Sequence, residues 1–148
     1  PTDTPMVMDV DLLRKNTNEN PVYYVQYAHA RICAVLRNAK ELGINYGLDF
    51  YKPQLLDHER ERELIGLLAQ YPRFVASAAE MREPHRVARY IEELAGAYHR
   101  FYNDCRVLPL GEEKPTDLNS CRATLSLATA QVISNGLDLL GVSAPEKM

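Results

Sequence analysis

The stretch from residue 20 to residue 43 constrains the fold of this chain most, because it carries a complete set of helix signals. It opens with Asn20-Pro21, a good capping residue followed by one that suits the first helical position, and it closes with Gly43, which can end a helix in the left-handed conformation. Between them, apolar residues recur at helical intervals: Val25, Ala28, Ile32, Val35, Leu36 and Ala39. The pattern predicts a helix of roughly 20 residues with one side in a core.

Comparable patterns continue along the chain. They predict further helices over residues 57–70, 73–81, 83–103 and 116–136, followed by a short extra turn over 137–141. Pro72 is expected to separate the first two of these, and Asn135-Gly136 to end the last one. No strand pair or repeat competes with this pattern. The predicted fold class is therefore all-α, an antiparallel helical bundle.

A length of 148 residues fits one domain, which the helix signals place at residues 20–148. Residues 1–19 end in the polar run Asn16-Thr17-Asn18-Glu19 and are predicted to form a junction. Residues 1–5 lack the basic start and apolar stretch of a signal or transit peptide, and the missing initiator methionine suggests a piece of a longer protein.

Composition excludes several classes of protein. A net charge of -3 argues against coating nucleic acid through bulk electrostatics, so that any contact with nucleic acid must be local. No apolar run approaches the roughly 20 residues of a membrane span. Three cysteines without CxxC spacing favour a reduced, cytoplasmic setting. The acidic run over residues 57–63 is interpreted as a solvated helix face.

The predicted first helix carries an unusual second face, opposite its apolar one. That face collects Tyr24, Tyr27, Arg31, Ala34 and Asn38. Tyr27 and Arg31 are four residues apart and therefore adjacent on the helix surface, while the small Ala34 leaves space beside them. Such a pair can stack an unpaired base on the ring and hydrogen-bond its edge through the guanidinium.

Two other interpretations stay open from the pattern alone. Another helix of the bundle could cover the tyrosines, with Arg31 in an ordinary surface ion pair. His29 and Cys33 have the spacing of a metal pair on a helix, but a structural zinc site needs four ligands. His29 is therefore predicted to be a hydrogen-bonded core residue, and no metal site is predicted.

Three separated motifs carry a resemblance to a known family. The runs NPVYYVQYAHARICAVLRNA, HRFYNDCRVL and QVISNGLDLLGVSAPEKM together resemble the C-terminal anticodon-binding region of bacterial arginyl-tRNA synthetases, from about residue 9 to the last residue. The resemblance implies a helical domain of the DALR type, attached behind a class I catalytic domain, that holds the anticodon loop of arginine tRNA. Residues 1–19 would then be the remnant of the junction to that catalytic domain.

The resemblance also implies which residues contact RNA. The tyrosine and arginine of the YAHAR motif are Tyr27 and Arg31, and the methionine that closes the SAPEKM ending is Met148; in the family these surround the middle base of the anticodon. Tyr24 and Asn38 are added as candidates from the same helix face. The default expectation for any terminal residue is fraying, but the apolar residues before Met148 could anchor the tail.

The chain lacks the signatures of ATP chemistry, since it has no HIGH-type or KMSK-type motif and no Gly-rich phosphate loop. We therefore predict no catalytic residues here, and we assign ATP and Mg²⁺ to a parent enzyme. The expected partners are arginine tRNA and the catalytic domain of the same parent chain, with no membrane and a monomeric state. The alternative function is a helical module that binds a partner protein through the tyrosine face or the acidic 57–63 run.

Overall fold

The fold is known from a computed structural model, which describes residues 9–15, 17 and 19–148. Five α-helices follow one another in this part of the chain: α1 (Val10–Arg14), α2 (Pro21–Glu41), α3 (Glu59–Met81), α4 (His85–Asp104) and α5 (Asp117–Leu139). Two single-turn 3-10 helices, Leu48–Phe50 and Pro53–Leu55, lie between α2 and α3. The described residues contain no strand, so the predicted all-α bundle is confirmed.

The predicted junction over residues 1–19 lies partly outside the described residues, since 1–8, 16 and 18 are not among them. The short helix α1 falls within it.

The signals that predicted α2 operate as expected. The Asn20 side chain accepts a hydrogen bond from the backbone N–H of Val22 at 3.1 Å, which satisfies one of the free donors at the helix start. Gly43 has a φ of 72°, and the N–H of Ile44 returns to the carbonyl of Ala39 at 2.9 Å. All six apolar residues of the predicted core side are buried: Val25, Ala28, Ile32, Val35, Leu36 and Ala39.

The predicted break at Pro72 is wrong, because α3 runs through it as one helix of 23 residues. Leu64, Leu67 and Phe74 belong to one apolar stripe that continues on both sides of the proline and packs with the core. Proline removes one backbone donor, but burying a continuous stripe against α4 outweighs that loss. The Tyr90 hydroxyl of α4 also donates to the Leu67 carbonyl at 2.8 Å, within this stretch.

The predicted end of the last helix at Asn135-Gly136 is also wrong, since α5 continues to Leu139. Gly136 serves a close helix approach instead, because a Cβ there would lie 2.3 Å from the Ile91 side chain of α4. Gly141, two residues after the end of α5, has a φ of 70° and terminates the helix, and the N–H of Val142 returns to the Leu137 carbonyl at 2.9 Å.

Helix α4 lies at the centre of the bundle, where it packs against α2, α3 and α5. Its side chains Tyr90, Tyr98 and Phe101 are the largest fully buried ones. The Tyr98 hydroxyl donates a hydrogen bond to Ser126 Oγ of α5 at 3.3 Å. Burial of Tyr90 raises the pKa of its hydroxyl to about 12. No described helix is long and apolar enough to cross a membrane.

The acidic 57–63 run is largely exposed, as the sequence predicted, but Glu61 is an exception. Glu61 is fully buried, and one of its carboxylate oxygens accepts from Arg122 Nε of α5 at 2.6 Å. The other accepts from the backbone N–H of His58 and closes a capping box at the start of α3. Glu63 pairs with Arg60 and Arg100, which lowers the pKa of its carboxyl. The run therefore contributes one buried ion pair, between Glu61 and Arg122, and two partly exposed pairs at Glu63.

Candidate nucleic-acid interface

Helix α2 presents three faces, and one of them carries the residues that the sequence singled out. We call the line Tyr24, Tyr27, Arg31 and Asn38 the outer stripe. Asn38 is exposed, Tyr24 and Arg31 are half-buried, and Tyr27 keeps 37% of its surface accessible. The structure thus brings four of the five predicted site residues onto one surface, which borders α4.

Arg31 is held by two neutral groups of α4. Its guanidinium carbon lies 4.3 Å from the centroid of the Tyr102 ring, the geometry of a cation–π contact. Its Nη1 donates to Nδ1 of His99 at 3.3 Å. Among the residues that the structure describes, no carboxylate pairs with Arg31, so the surface ion pair considered above is not observed. The guanidinium is fixed in place while its charge remains unneutralised.

The hydrogen bond to Arg31 also defines the state of His99. An arginine can only donate, so Nδ1 of His99 accepts and the imidazole carries its proton on Nε2. Burial lowers the pKa of His99, and the neighbouring Arg31 charge lowers it further. His99 is therefore neutral at pH 7.

The tyrosines of α2 differ in how far α4 covers them. The Tyr24 ring lies 5.2 Å from the His99 ring, and burial raises the pKa of its hydroxyl. The Tyr27 ring lies 6.0 Å from His99 and 6.4 Å from the nearly parallel ring of Tyr23. Tyr24 thus packs with the bundle, whereas Tyr27 retains an accessible surface beside Arg31.

The chain beyond α5, residues 140–148, crosses a third face of α2, and we call this segment the tail. Gln26 Nε2 donates to the Ser143 carbonyl at 2.8 Å, and Arg37 Nη1 donates to the Glu146 carbonyl at 3.2 Å. His29 is buried, with its Nδ1 2.9 Å from the Pro145 carbonyl, so its predicted role as a hydrogen-bonded core residue is confirmed. Met148 follows two residues after Glu146 and is 55% exposed.

A family model for the DALR anticodon binding domain matches residues 25–148, which include most of α2, all of α4 and the tail that meets α2. The chain belongs to this family. The predicted recognition is thereby confirmed.

Curated relatives of this DALR domain are larger proteins. The chain is 57% identical over 151 residues to an arginine–tRNA ligase of Pseudarthrobacter chlorophenolicus, in an alignment that covers all of the chain and 27% of that protein. It is 59% identical over 143 residues to an arginine–tRNA ligase of Clavibacter sepedonicus, covering 95% of the chain and 26% of the relative. The chain thus spans about a quarter of the length of these relatives.

Solved structures agree with the DALR assignment. The arginyl-tRNA synthetase of Thermus thermophilus superposes with a TM-score of 0.69 at 31% identity, covering 92% of this chain and 22% of that one. A Campylobacter jejuni protein assigned to the arginyl-tRNA synthetases superposes with a TM-score of 0.78 at 27% identity, covering 99% and 30%.

Sequence reasoning missed two residues of this DALR surface, His99 and Tyr102. Both lie in the HRFYNDCRVL run, but neither is among the predicted site residues. Their spacing of three residues places them on one helix face, which is a signal that could have drawn attention to them. Nothing in the sequence pairs that face with Arg31, because 68 residues separate Arg31 from His99.

The described part of the DALR domain contains no group of three or more His, Cys, Asp or Glu side chains that could hold a metal ion. Cys33 Sγ lies 3.8 Å from His29 Nδ1, and these two side chains form a pair only. The absence of catalytic and metal-binding residues stays a prediction.

Proposed function

We propose that this chain is the anticodon-recognition domain of an arginine–tRNA ligase and that the outer stripe of α2 binds unpaired bases of the anticodon loop. The family match and the two relatives at 57% and 59% identity support the assignment of the parent enzyme. Tyr27, Arg31 and Met148 are the principal RNA-contacting residues in this proposal, with Tyr24 and Asn38 at the margins of the site.

One observation carries the proposal: an accessible tyrosine ring lies one helical turn from a fixed guanidinium that no described carboxylate neutralises. A base stacked on an aromatic ring gains about 1–3 kcal/mol, and this gain does not require a basic surface. The guanidinium offers several N–H donors in one plane, which can read the edge of the stacked base. A chain with a net charge of -3 can therefore recognise RNA locally.

The rest of the proposed activity belongs to the parent enzyme. Its catalytic domain would bind ATP and Mg²⁺ and attach arginine to the tRNA, while this domain docks the anticodon. Docking orients the distant acceptor end, so that binding energy at the anticodon is expressed as rate at the catalytic site. We place the parent enzyme in the cytoplasm as a monomer; the three free cysteines are compatible with a reducing compartment.

The test uses a fluorescently labelled stem–loop RNA with the anticodon of an arginine tRNA, and the same RNA with each other base at the middle position. We expect Tyr27→Ala or Arg31→Ala to weaken binding by about 5- to 150-fold, as loss of one stacked or hydrogen-bonded base implies. Arg31→Ala should also reduce discrimination between the four RNAs.

The matched control is Arg73→Ala, which removes an exposed arginine from α3, a helix that does not contact α2. Circular dichroism verifies that each variant keeps its helical content. Binding by Tyr27→Ala and Arg31→Ala that matches the control would refute the proposed site. A partner protein that protects Tyr27 from chemical modification, where RNA does not, would favour the alternative interaction module.

A further inference from the structure

The last residues of the chain are docked on α2 by main-chain contacts. We call Gln26, His29 and Arg37 the tail cradle. Their side chains meet three carbonyls of the tail, those of Ser143 at 2.8 Å, Pro145 at 2.9 Å and Glu146 at 3.2 Å. Gln26 Nε2 also lies 3.3 Å from the Ser143 hydroxyl.

The cradle is a continuous strip of α2. At 3.6 residues per turn, positions 26, 29 and 37 lie within roughly 80° of one another around the helix. The tail runs along α2 in the direction of the helix, since Ser143 meets Gln26 and Glu146 meets Arg37. Two further residues of extended chain keep Met148 within about 7 Å of Glu146. Around the helix, Gln26 and Tyr27 are roughly 100° apart, so the strip and the outer stripe lie on neighbouring faces of α2.

His29 is the central member of the cradle. A carbonyl can only accept, so the hydrogen bond to Pro145 requires the proton of the imidazole to be on Nδ1. His29 is 7% exposed, which means that water cannot easily replace this donor. Val142 and Ala144 pack against the core on either side of Ser143. Apolar contacts and hydrogen bonds therefore hold the same segment.

We propose that Gln26, His29 and Arg37 are positioning residues that dock the tail and thereby fix Met148 beside the outer stripe, where it contacts the bound RNA. The docking follows from the contacts above. The RNA contact of Met148 rests on the proposed function. Because three of its four contacts with the tail are to carbonyl oxygens, the cradle acts mainly on the path of the main chain.

The first experiment measures docking without RNA. Release of Met148 by a carboxypeptidase is timed, and the Met148 methyl signal is followed by NMR after assignment with a variant that lacks this residue. His29→Ala should accelerate release by about 5- to 150-fold and move the methyl signal to the position of an unstructured methionine. His29→Asn, whose amide can donate from the position of Nδ1, should restore most of the protection.

The control is His85→Ala, which removes an exposed histidine at the start of α4, far along the chain from the cradle. Circular dichroism shows whether His29→Ala still folds. If it does not, Gln26→Ala tests the cradle instead, because Gln26 is only partly buried and its replacement disturbs the core less. Unchanged protection in folded His29→Ala and Gln26→Ala would overturn the docking role.

The second experiment measures stem–loop binding with the same variants. His29→Ala should weaken binding as much as deletion of Met148 does, and the two changes together should cause no further loss. A released tail with unchanged RNA affinity, in a protein where Tyr27→Ala still impairs binding, would overturn the link from the cradle to RNA while the proposed function stands. Intact RNA affinity in Tyr27→Ala would refute the proposed function and leave the docking result valid.

Discussion

Replacing Arg122 by methionine should destabilise the bundle strongly, because it leaves the Glu61 carboxylate buried without its cation. Glu61 is 0% exposed, and Arg122 Nε lies 2.6 Å from it. Breaking a buried pair from one side costs about 3–5 kcal/mol. Arg122 also donates to the Arg106 carbonyl at 2.9 Å, a contact that methionine cannot make. At about 2–4 °C per kcal/mol for a domain of this size, the Tm should fall by about 6–20 °C.

The double variant, with methionine in place of both Glu61 and Arg122, distinguishes two effects. One is the loss of the ion pair itself, and the other is the cost of leaving the Glu61 charge buried without a partner. The double variant removes the unpaired carboxylate, so it should recover most of the stability and remain within about 2 kcal/mol of the wild type, the remainder reflecting loss of the capping contact to His58. Urea unfolding followed by circular dichroism measures both variants, with Arg73→Met as the exposed control. A loss below about 1 kcal/mol for Arg122→Met, or a double variant as unstable as the single one, would refute the reasoning.

Two further predictions concern pH and packing. Folding lowers the pKa of His99, so the unfolded chain binds more protons than the folded one. The contribution of His99 to the unfolding free energy is therefore fully present above the unfolded pKa of about 6.5 and is lost as the pH falls through the lower, folded pKa. Between about pH 8 and about pH 5, urea unfolding should show a smaller loss for His99→Gln, whose amide oxygen still accepts from Arg31; an equal loss would contradict this assignment. Gly136→Ala should lower the unfolding free energy by up to about 2 kcal/mol, since overpacking against Ile91 exceeds the gain in helix propensity. Gly66→Ala, where nothing lies within 4 Å of the added methyl, should raise it, and a stabilised Gly136→Ala would contradict the packing argument.

The sequence predicted α2 and α4 well because their signals are local. A capping residue, an apolar period and a terminating glycine all act within one segment, and α2 contains all three. Pro72 and Gly136 misled the prediction because each is a helix breaker by local preference. Their outcome depends on neighbours: Pro72 lies in a stripe that α4 buries, and Gly136 makes room for Ile91. Tertiary packing decides such positions, and one sequence does not display it.

The same distinction between local and tertiary features applies to the candidate site. The adjacency of Tyr27 and Arg31 could be predicted, because it follows from the geometry of a single helix. The partners of Arg31 could not, since they come from α4. The tail cradle could not be predicted either, because Gln26 and Ser143 are 117 residues apart in the sequence. Sequence pattern identifies which side chains share a helix face, and the fold decides what holds them in place.

Helix α2 links these features physically, because its three faces serve the core, the outer stripe and the tail. Its apolar face fixes the position of the helix against α4 and α5. That packing in turn sets the distance from Arg31 to His99 and Tyr102, so the direction of the guanidinium depends on the core. The third face holds the tail through main-chain oxygens. A domain with a net charge of -3 gains selectivity from such fixed geometry, since a positioned ring and guanidinium lose little conformational entropy when a base binds.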